Sequence, residues 1–263
     1  WNHCLAMVCG NSVVWKGSPK AKNVTDSCKQ AWDRAVEKTF PEPWFKFKNL
    51  LQVVDGDKEE AEWMADDSNI NLLSATGSTA MGKALAPRVS ARMGKALYEL
   101  GGNNGMIVSR HANIDLAVRG IVFGAVGTAG QRCTTLRRLI VHKSVYDVLI
   151  TKLKSAYASL PVGDNFKEET LVGPLINQES ADRMQSVLQQ AKDKGYTVHG
   201  GEVVEGCTVR PAIVEASEQC DLIKTETFAP ILYVLKYTDL DEAINIHNAV
   251  PQGLSSCIFT DNV

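Results

Sequence analysis

The sequence predicts an α/β protein: a doubly wound parallel sheet followed by a second α/β domain. Two observations carry that expectation. Strand-like and helix-like stretches alternate with short connections through the first hundred residues, the βαβαβ rhythm of a parallel sheet. A second alternation fills the rest of the 263 residues, a length that can bury a sizeable core in one large domain or two smaller ones.

Taken in order, "AMVCGNSVVWK" (6–16) reads as a buried strand and 20–38 as a mostly polar helix. "NLLQVVDG" (49–56) is a second strand, ended by turn chemistry at Asp55-Gly56-Asp57. "KEEAEWMADD" follows as a short helix and "NINLLSATG" (69–77) as a third strand. "STAMGKALAPRVSARM" starts a helix with Ser78 or Thr79 as N-cap, and Pro87 is expected to kink or shorten it. "KALYELGG" (95–102) is one more strand, closed by paired glycines, and two domains are expected to meet near 99–104.

Beyond that point, "DLAVRGIVFGAVGTAG" (115–130) is apolar on nearly every side and reads as a buried helix. "RRLIVH" (137–142) is a strand. Residues 144–160 form an amphipathic helix with a Ser144/Asp147 capping box and core positions Val145, Leu149, Leu153, Ala156 and Leu160. Residues 178–194 form another, with Ala181, Met184, Val187, Leu188 and Ala191 inward and Gly195 closing it. "TVRPAIV", "ILYVLKY" and "SSCIFT" are expected as strands of one further sheet.

Composition narrows the function classes. Lys+Arg is 28 against Asp+Glu 30, a net charge of −2, which gives no support to a nucleic-acid or membrane-surface partner. No apolar run approaches a membrane span, and no signal peptide is recognised. The seven cysteines show no CxxC pair and no clustered His/Cys spacing. A disulfide framework or metal site is therefore not expected, and a cytoplasmic compartment is.

Several residues could carry chemistry. "TGSTAMG" (76–82) puts small residues at a strand-to-helix turn, where free N–H groups suit a phosphate or simply cap a helix. Cys133 sits in "TAGQRCTTLRR" beside Arg132, a cation that favours thiolate over thiol. Gly127 and Gly130 allow sharp backbone turns before it. A small buried hydrophobe and a surface ion-pair arginine are the plain alternatives. Glu99, at a strand end in "YELGG", is a candidate general base or a solvated acid, and Glu226 in "TETFAP" an ordinary loop acid by itself. None of the five histidines carries the signature of a base for a cysteine hydrolase.

The ordered set "WN", "VVWKGSP", "TGSTAMG", "ELGG", "GQRC" and "ETFAP" resembles the aldehyde dehydrogenase superfamily across nearly all of the chain. Within it, "ELGGNN", "VGTAGQRCTTLRRL", "GPL", "TETFAPILYV" and "GLSSCIFT" most resemble the antiquitin branch, which oxidises α-aminoadipic semialdehyde, in equilibrium with piperideine-6-carboxylate, in lysine breakdown. The resemblance implies a Rossmann-like nucleotide-binding domain over 1–102 and a catalytic domain over 103–263, both partial. The chain then reads as the central segment of a longer, homo-oligomeric protein.

The resemblance also assigns roles. Cys133 falls on the nucleophile, Glu99 on the base, and Asn2 on the oxyanion-stabilising amide. Lys16 falls on the adenosine-ribose contact, and Ser78, with Gly77 and Gly82, on the pyrophosphate turn. Thr76 and Leu100 fall beside the nicotinamide, and Glu226 and Phe228 on its ribose. Arg132, assisted by Thr134, is the candidate for a distant substrate carboxylate, because a planar guanidinium suits bidentate binding. The implied cofactor is NAD, with NADP left open, and the implied substrate a small aldehyde. The sequence departs from many relatives at Pro19, where a glutamate often grips both ribose hydroxyls, and at Pro87.

Overall fold

The computed structural model describes residues 2–40 and 45–262, without the side chain of Phe45. They form two compact units, one up to Leu100 and one from Gly101.

The first unit opens with helix α1 (Asn2–Val8) and strand β1 (Val13–Lys16), so the strand expected over 6–16 is a short helix and then a strand. The apolar residues of 2–8 are all at least partly exposed, and no sheet partner reaches them. Helices α2 (Lys22–Thr39) and α3 (Phe45–Lys48) lead to β2 (Leu51–Val54), which pairs in parallel with β1. Helix α4 (Lys58–Asp66) and strand β3 (Leu72–Thr76) follow, then α5 (Thr79–Ala91) and β4 (Lys95–Glu99), parallel to β3.

The two parallel pairs do not join into one doubly wound sheet among the described residues. Ser78 is the N-cap of α5, its Oγ accepting from the Met81 N–H. The helix runs on through Pro87 to Ala91, so Pro87 does not shorten it. Pro87 lies on the exposed face, where a carbonyl freed by its ring is open to solvent and costs little.

The second unit is built on six strands: β5 (Asn104–Val108), β6 (Leu136–His142), β7 (Thr197–Gly200), β10 (Ala212–Glu215), β11 (Ile231–Tyr237) and β12 (Ser256–Phe259). Their order is β12-β5-β6-β11-β10-β7, parallel except for β7. The strands β8 (Val203–Glu205) and β9 (Thr208–Val209) form a separate antiparallel ribbon. "TVRPAIV" is thus divided: β9 leaves the sheet and β10 joins it, with Pro211 between, where no N–H is available for a ladder.

Helices α6 (Ile114–Val126), α7 (Tyr146–Ala158) and α8 (Gln178–Asp193) surround the sheet with the shorter α9 (Asp221–Lys224) and α10 (Leu240–Asn248). Helix α6 ends at Val126 and is not buried all round, for Leu116 and Phe123 are 58% and 69% exposed. The capping box expected for α7 does not form, because the Ser144 hydroxyl pairs with His142 Nδ1 and the helix starts at Tyr146. The core expected for α8 forms at Ala181, Met184, Leu188 and Ala191, which are buried, with Val187 partly buried against it, and Gly195 takes the left-handed conformation after the helix.

Candidate active site

In the second unit, the chain reaches Cys133 through three consecutive left-handed residues, Thr128 (φ 53), Ala129 (φ 51) and Gly130 (φ 69). Only glycine adopts that region without cost, and a β-branched threonine there is a true outlier. Gly130 must be glycine for a second reason, since a Cβ would stand 2.5 Å from the Ala229 carbonyl. Residues 132–135 then close a turn, with Thr135 N–H donating to the Arg132 carbonyl and Arg132 N–H to Thr135 Oγ1. Cys133 and Thr134 sit exposed at its tip.

The loop precedes β6 and turns its carbonyls inward, where no helix supplies donors. Two buried side chains satisfy them instead. Asn104 Nδ2 donates to the carbonyls of Cys133 and Thr135, both at 2.8 Å. Arg137 donates to Gly130 (3.2 Å), Arg132 (3.1 Å) and Gly102 (3.3 Å). It also pairs with Glu226 Oε1 at 3.0 Å and lies 5.3 Å from the Phe228 ring centroid. Gly102 N–H donates to the same Glu226 oxygen, and Gly101 leaves the space that the other oxygen occupies. Burial pulls the Arg137 guanidinium below its ordinary value, and Glu226 opposes that shift.

Neither Arg137 nor Asn104 is singled out by the sequence. The doubled arginine of "TTLRR" is the visible signal, yet adjacent strand residues face opposite sides. Both are buried because β6 lies inside the sheet, between β5 and β11. Arg138 has no acidic partner among the described residues. It donates to the carbonyls of Asn103, Ile246 and His247 and to Gln219 Oε1, and burial lowers its pKa to about 10.

Arg132 points elsewhere. Its Nε donates to Thr128 Oγ1 (2.9 Å), and its guanidinium lies 5.6 Å from the Phe123 ring centroid. A Cβ on Gly127 would crowd Nη1 at 3.2 Å. Among the described residues Arg132 has no ion-pair partner. It stands on the wall of an open pocket of about 1200 Å³ whose lining includes Val122, Phe123, Leu171 and Ile176.

The first unit gathers its own candidates at the C-terminal ends of its strands. Thr76 ends β3 opposite Glu99 on β4, and Gly77 N–H donates to the Glu99 carbonyl at 3.0 Å. Ser78 caps α5, and Gly82 lies so close to Leu100 that a Cβ would stand 2.6 Å from it. Lys16 ends β1, its Nζ donating to the carbonyls of Gly17 (2.8 Å) and Gly56 (3.3 Å). Asn2 lies on α1, its side chain donating to Ser74 Oγ on β3 at 3.2 Å. Trp1 of the "WN" motif lies outside the described residues. The structure thus brings together Thr76, Gly77, Ser78, Gly82, Glu99 and Leu100 in one unit, and Cys133, Thr134, Glu226 and Phe228 in the other.

Fold and loop together define an α/β protein that displays the exposed Cys133 on a backbone fixed by buried side chains. The aldehyde dehydrogenase family model matches residues 1–263, and the chain belongs to that family. It is 44% identical to aldehyde dehydrogenase family 7 member A1 of Brassica napus, covering all of this chain and 53% of that protein. It is 40% identical to α-aminoadipic semialdehyde dehydrogenase of Bos taurus, covering all of this chain and 49% of that one. The chain therefore spans about half the length of the curated relatives it matches.

Among solved structures, methylmalonate-semialdehyde dehydrogenase from Oceanimonas doudoroffii matches with a TM-score of 0.91 at 25% identity, over 99% of this chain and 53% of that one. Glyceraldehyde-3-phosphate dehydrogenase from Methanocaldococcus jannaschii, solved with NADP, matches at 0.88 and 29%, over 97% and 54%. No described helix is long and apolar enough to cross a membrane.

Proposed function

We propose that the full-length protein is an NAD(P)-dependent aldehyde dehydrogenase that oxidises a carboxylate-bearing semialdehyde through a thioester on Cys133. The observation that carries the substrate class is Arg132, one residue before Cys133. Its guanidinium is held by Thr128 and Phe123 on an apolar pocket wall, without an acidic partner among the described residues. Such a cation matches a carboxylate at the far end of an aliphatic chain. The name of the Bos taurus relative agrees with an α-aminoadipic semialdehyde.

In this reading the Cys133 sulfur attacks the aldehyde carbon, forming a C–S bond and placing negative charge on the carbonyl oxygen. The Asn2 amide and the Cys133 backbone N–H stabilise that charge, each donor contributing roughly 3–4 kcal/mol. When bound, the nicotinamide supplies the hydride acceptor that turns the adduct into a thioester. Glu99 then takes a proton from water, the hydroxide adds to the thioester carbon, and the thiolate leaves as the acid is released.

The first unit fits a dinucleotide. The α5 N-terminus carries first-turn N–H groups that Ser78 only partly satisfies, at strand ends where open α/β sheets bind such ligands. Thr76, Gly77, Ser78, Gly82 and Leu100 would hold its phosphates and nicotinamide side, and Lys16 its adenosine ribose. Glu226 and Phe228 would hold the second ribose. We assign 1–102 to nucleotide binding, 103–263 to catalysis, and the whole protein to a cytoplasmic homo-oligomer using NAD in preference to NADP.

The test is Cys133→Ala in the full-length protein, with α-aminoadipic semialdehyde and either cofactor. Oxidation is expected to fall by at least about 10³-fold. Undiminished turnover would overturn the mechanism. Arg132→Met is expected to raise KM for the semialdehyde while leaving a neutral aldehyde of equal length unaffected.

A further inference from the structure

Arg137 is a buried charge that the chemistry above leaves without a part. Beside the bond from its Nε to the Gly102 carbonyl, its contacts divide into two sets. Nη1 and Nη2 donate to the carbonyls of Gly130 and Arg132, on the approach to Cys133. Nη2 donates also to Glu226 Oε1, and the guanidinium faces the Phe228 ring. One nitrogen therefore bridges the carboxylate of Glu226 and the carbonyl of Arg132.

That carbonyl belongs to the same peptide group as the Cys133 N–H, the backbone donor assigned to the oxyanion. A cation donating to a peptide oxygen fixes the peptide plane. It also polarises the group, so that its N–H becomes a stronger donor. On the other side, Glu226 is held from two directions, by Arg137 and by Gly102 N–H, with its second oxygen packed over Gly101. A hydroxyl that engages this carboxylate changes what Nη2 shares with the Arg132 carbonyl.

We propose that Arg137 is a positioning residue that couples engagement of Glu226 and Phe228 to the orientation of the Arg132–Cys133 peptide, so that bound cofactor tunes the nucleophile. This inference rests on the assignment of Glu226 and Phe228 to the cofactor ribose.

The experiment is iodoacetamide alkylation of Cys133 in the full-length protein, followed by peptide mass spectrometry with and without saturating NAD. A binding titration with NAD and NADP runs alongside. Wild type is expected to change its Cys133 rate severalfold with NAD. Arg137→Met is expected to lose that response while still binding NAD, with affinity lowered by about tenfold for the lost charged hydrogen bond. Arg137→Lys, which keeps the charge, is expected to recover part of the response.

An Arg137→Met protein whose Cys133 responds to NAD as wild type does would overturn the proposal. If that variant does not fold, Arg137→Lys combined with Glu226→Gln decides. Non-additive effects on the NAD response support coupling, and additive ones refute it. Wild type that binds NAD without any change at Cys133 refutes the coupling and leaves the cofactor assignment standing. Wild type that binds neither cofactor removes both.

Discussion

The two units place their candidate residues at opposite ends of their parallel strands. Lys16, Thr76 and Glu99 stand at the C-terminal ends of β1, β3 and β4. The loops of Cys133, Glu226 and Gly102 stand before the N-terminal ends of β6, β11 and β5. The first arrangement delivers a helix start and its free N–H groups, so little side-chain support is needed. The second turns carbonyls inward and must satisfy them with Arg137 and Asn104. The strand end used decides whether the backbone itself or buried side chains organise a site.

Their cores differ in the same sense. Every residue of β5 is buried, and the apolar cluster of the second unit extends from Met106 to Leu235. One small cluster in the first unit consists of Met64, Ala65, Leu73, Leu85 and Val89, and Leu72 and Leu97 remain exposed. Strands joined six wide and covered on both faces exclude water, whereas isolated pairs leave much of each strand wet.

Four measurements sharpen or break this contrast. The largest effect is expected for Leu232→Ala in the second core, about 2–5 kcal/mol of stability in denaturant titration. Leu73→Ala in the smaller core is expected to cost about 2 kcal/mol or less, since its surroundings collapse more readily. Equal losses would erase the difference between the cores. Ser78→Ala, which removes the α5 cap, is expected to cost about 1 kcal/mol and to weaken cofactor binding alongside. A stability loss with unchanged binding would leave the α5 turn a plain cap.

The smallest effect concerns pH. Burial and the Arg138 charge hold His247 below its ordinary 6.5, so the unfolded chain binds the proton first as pH falls. Stability is therefore full above 6.5 and declines as pH drops below it. His247→Gln is expected to flatten that part of the profile, and an unchanged slope would assign it to other groups.

How far the sequence reveals all this depends on whether the signal is local. The α5 cap, expected at Ser78 or Thr79 and found at Ser78, and the inward face of α8, where only Val187 stays partly buried, are set by near neighbours. The Ser144/Asp147 box is a local pattern overridden by a local competitor, His142. The strand expected over 6–16 holds only over Val13–Lys16, because apolar residues alone do not distinguish a short helix from a strand. Cys133 is conspicuous for its neighbours, but its supports are not. Asn104 is 29 residues away and Glu226 is 89 residues from Arg137, and no spacing rule links them. The expectation that β1 to β4 join in one sheet rests on rhythm, and rhythm does not report which strands pair.

The left-handed run at Thr128 and Ala129 bears on any attempt to make this protein more heat-resistant. Non-glycine residues in that conformation cost on the order of 1–3 kcal/mol each, so a designer would relax them first. Thr128 is also the residue whose hydroxyl fixes Arg132. A glycine there would ease the backbone and release the guanidinium together. With Arg132 in its proposed role, the melting temperature and the discrimination between charged and neutral aldehydes are set against each other at one side chain.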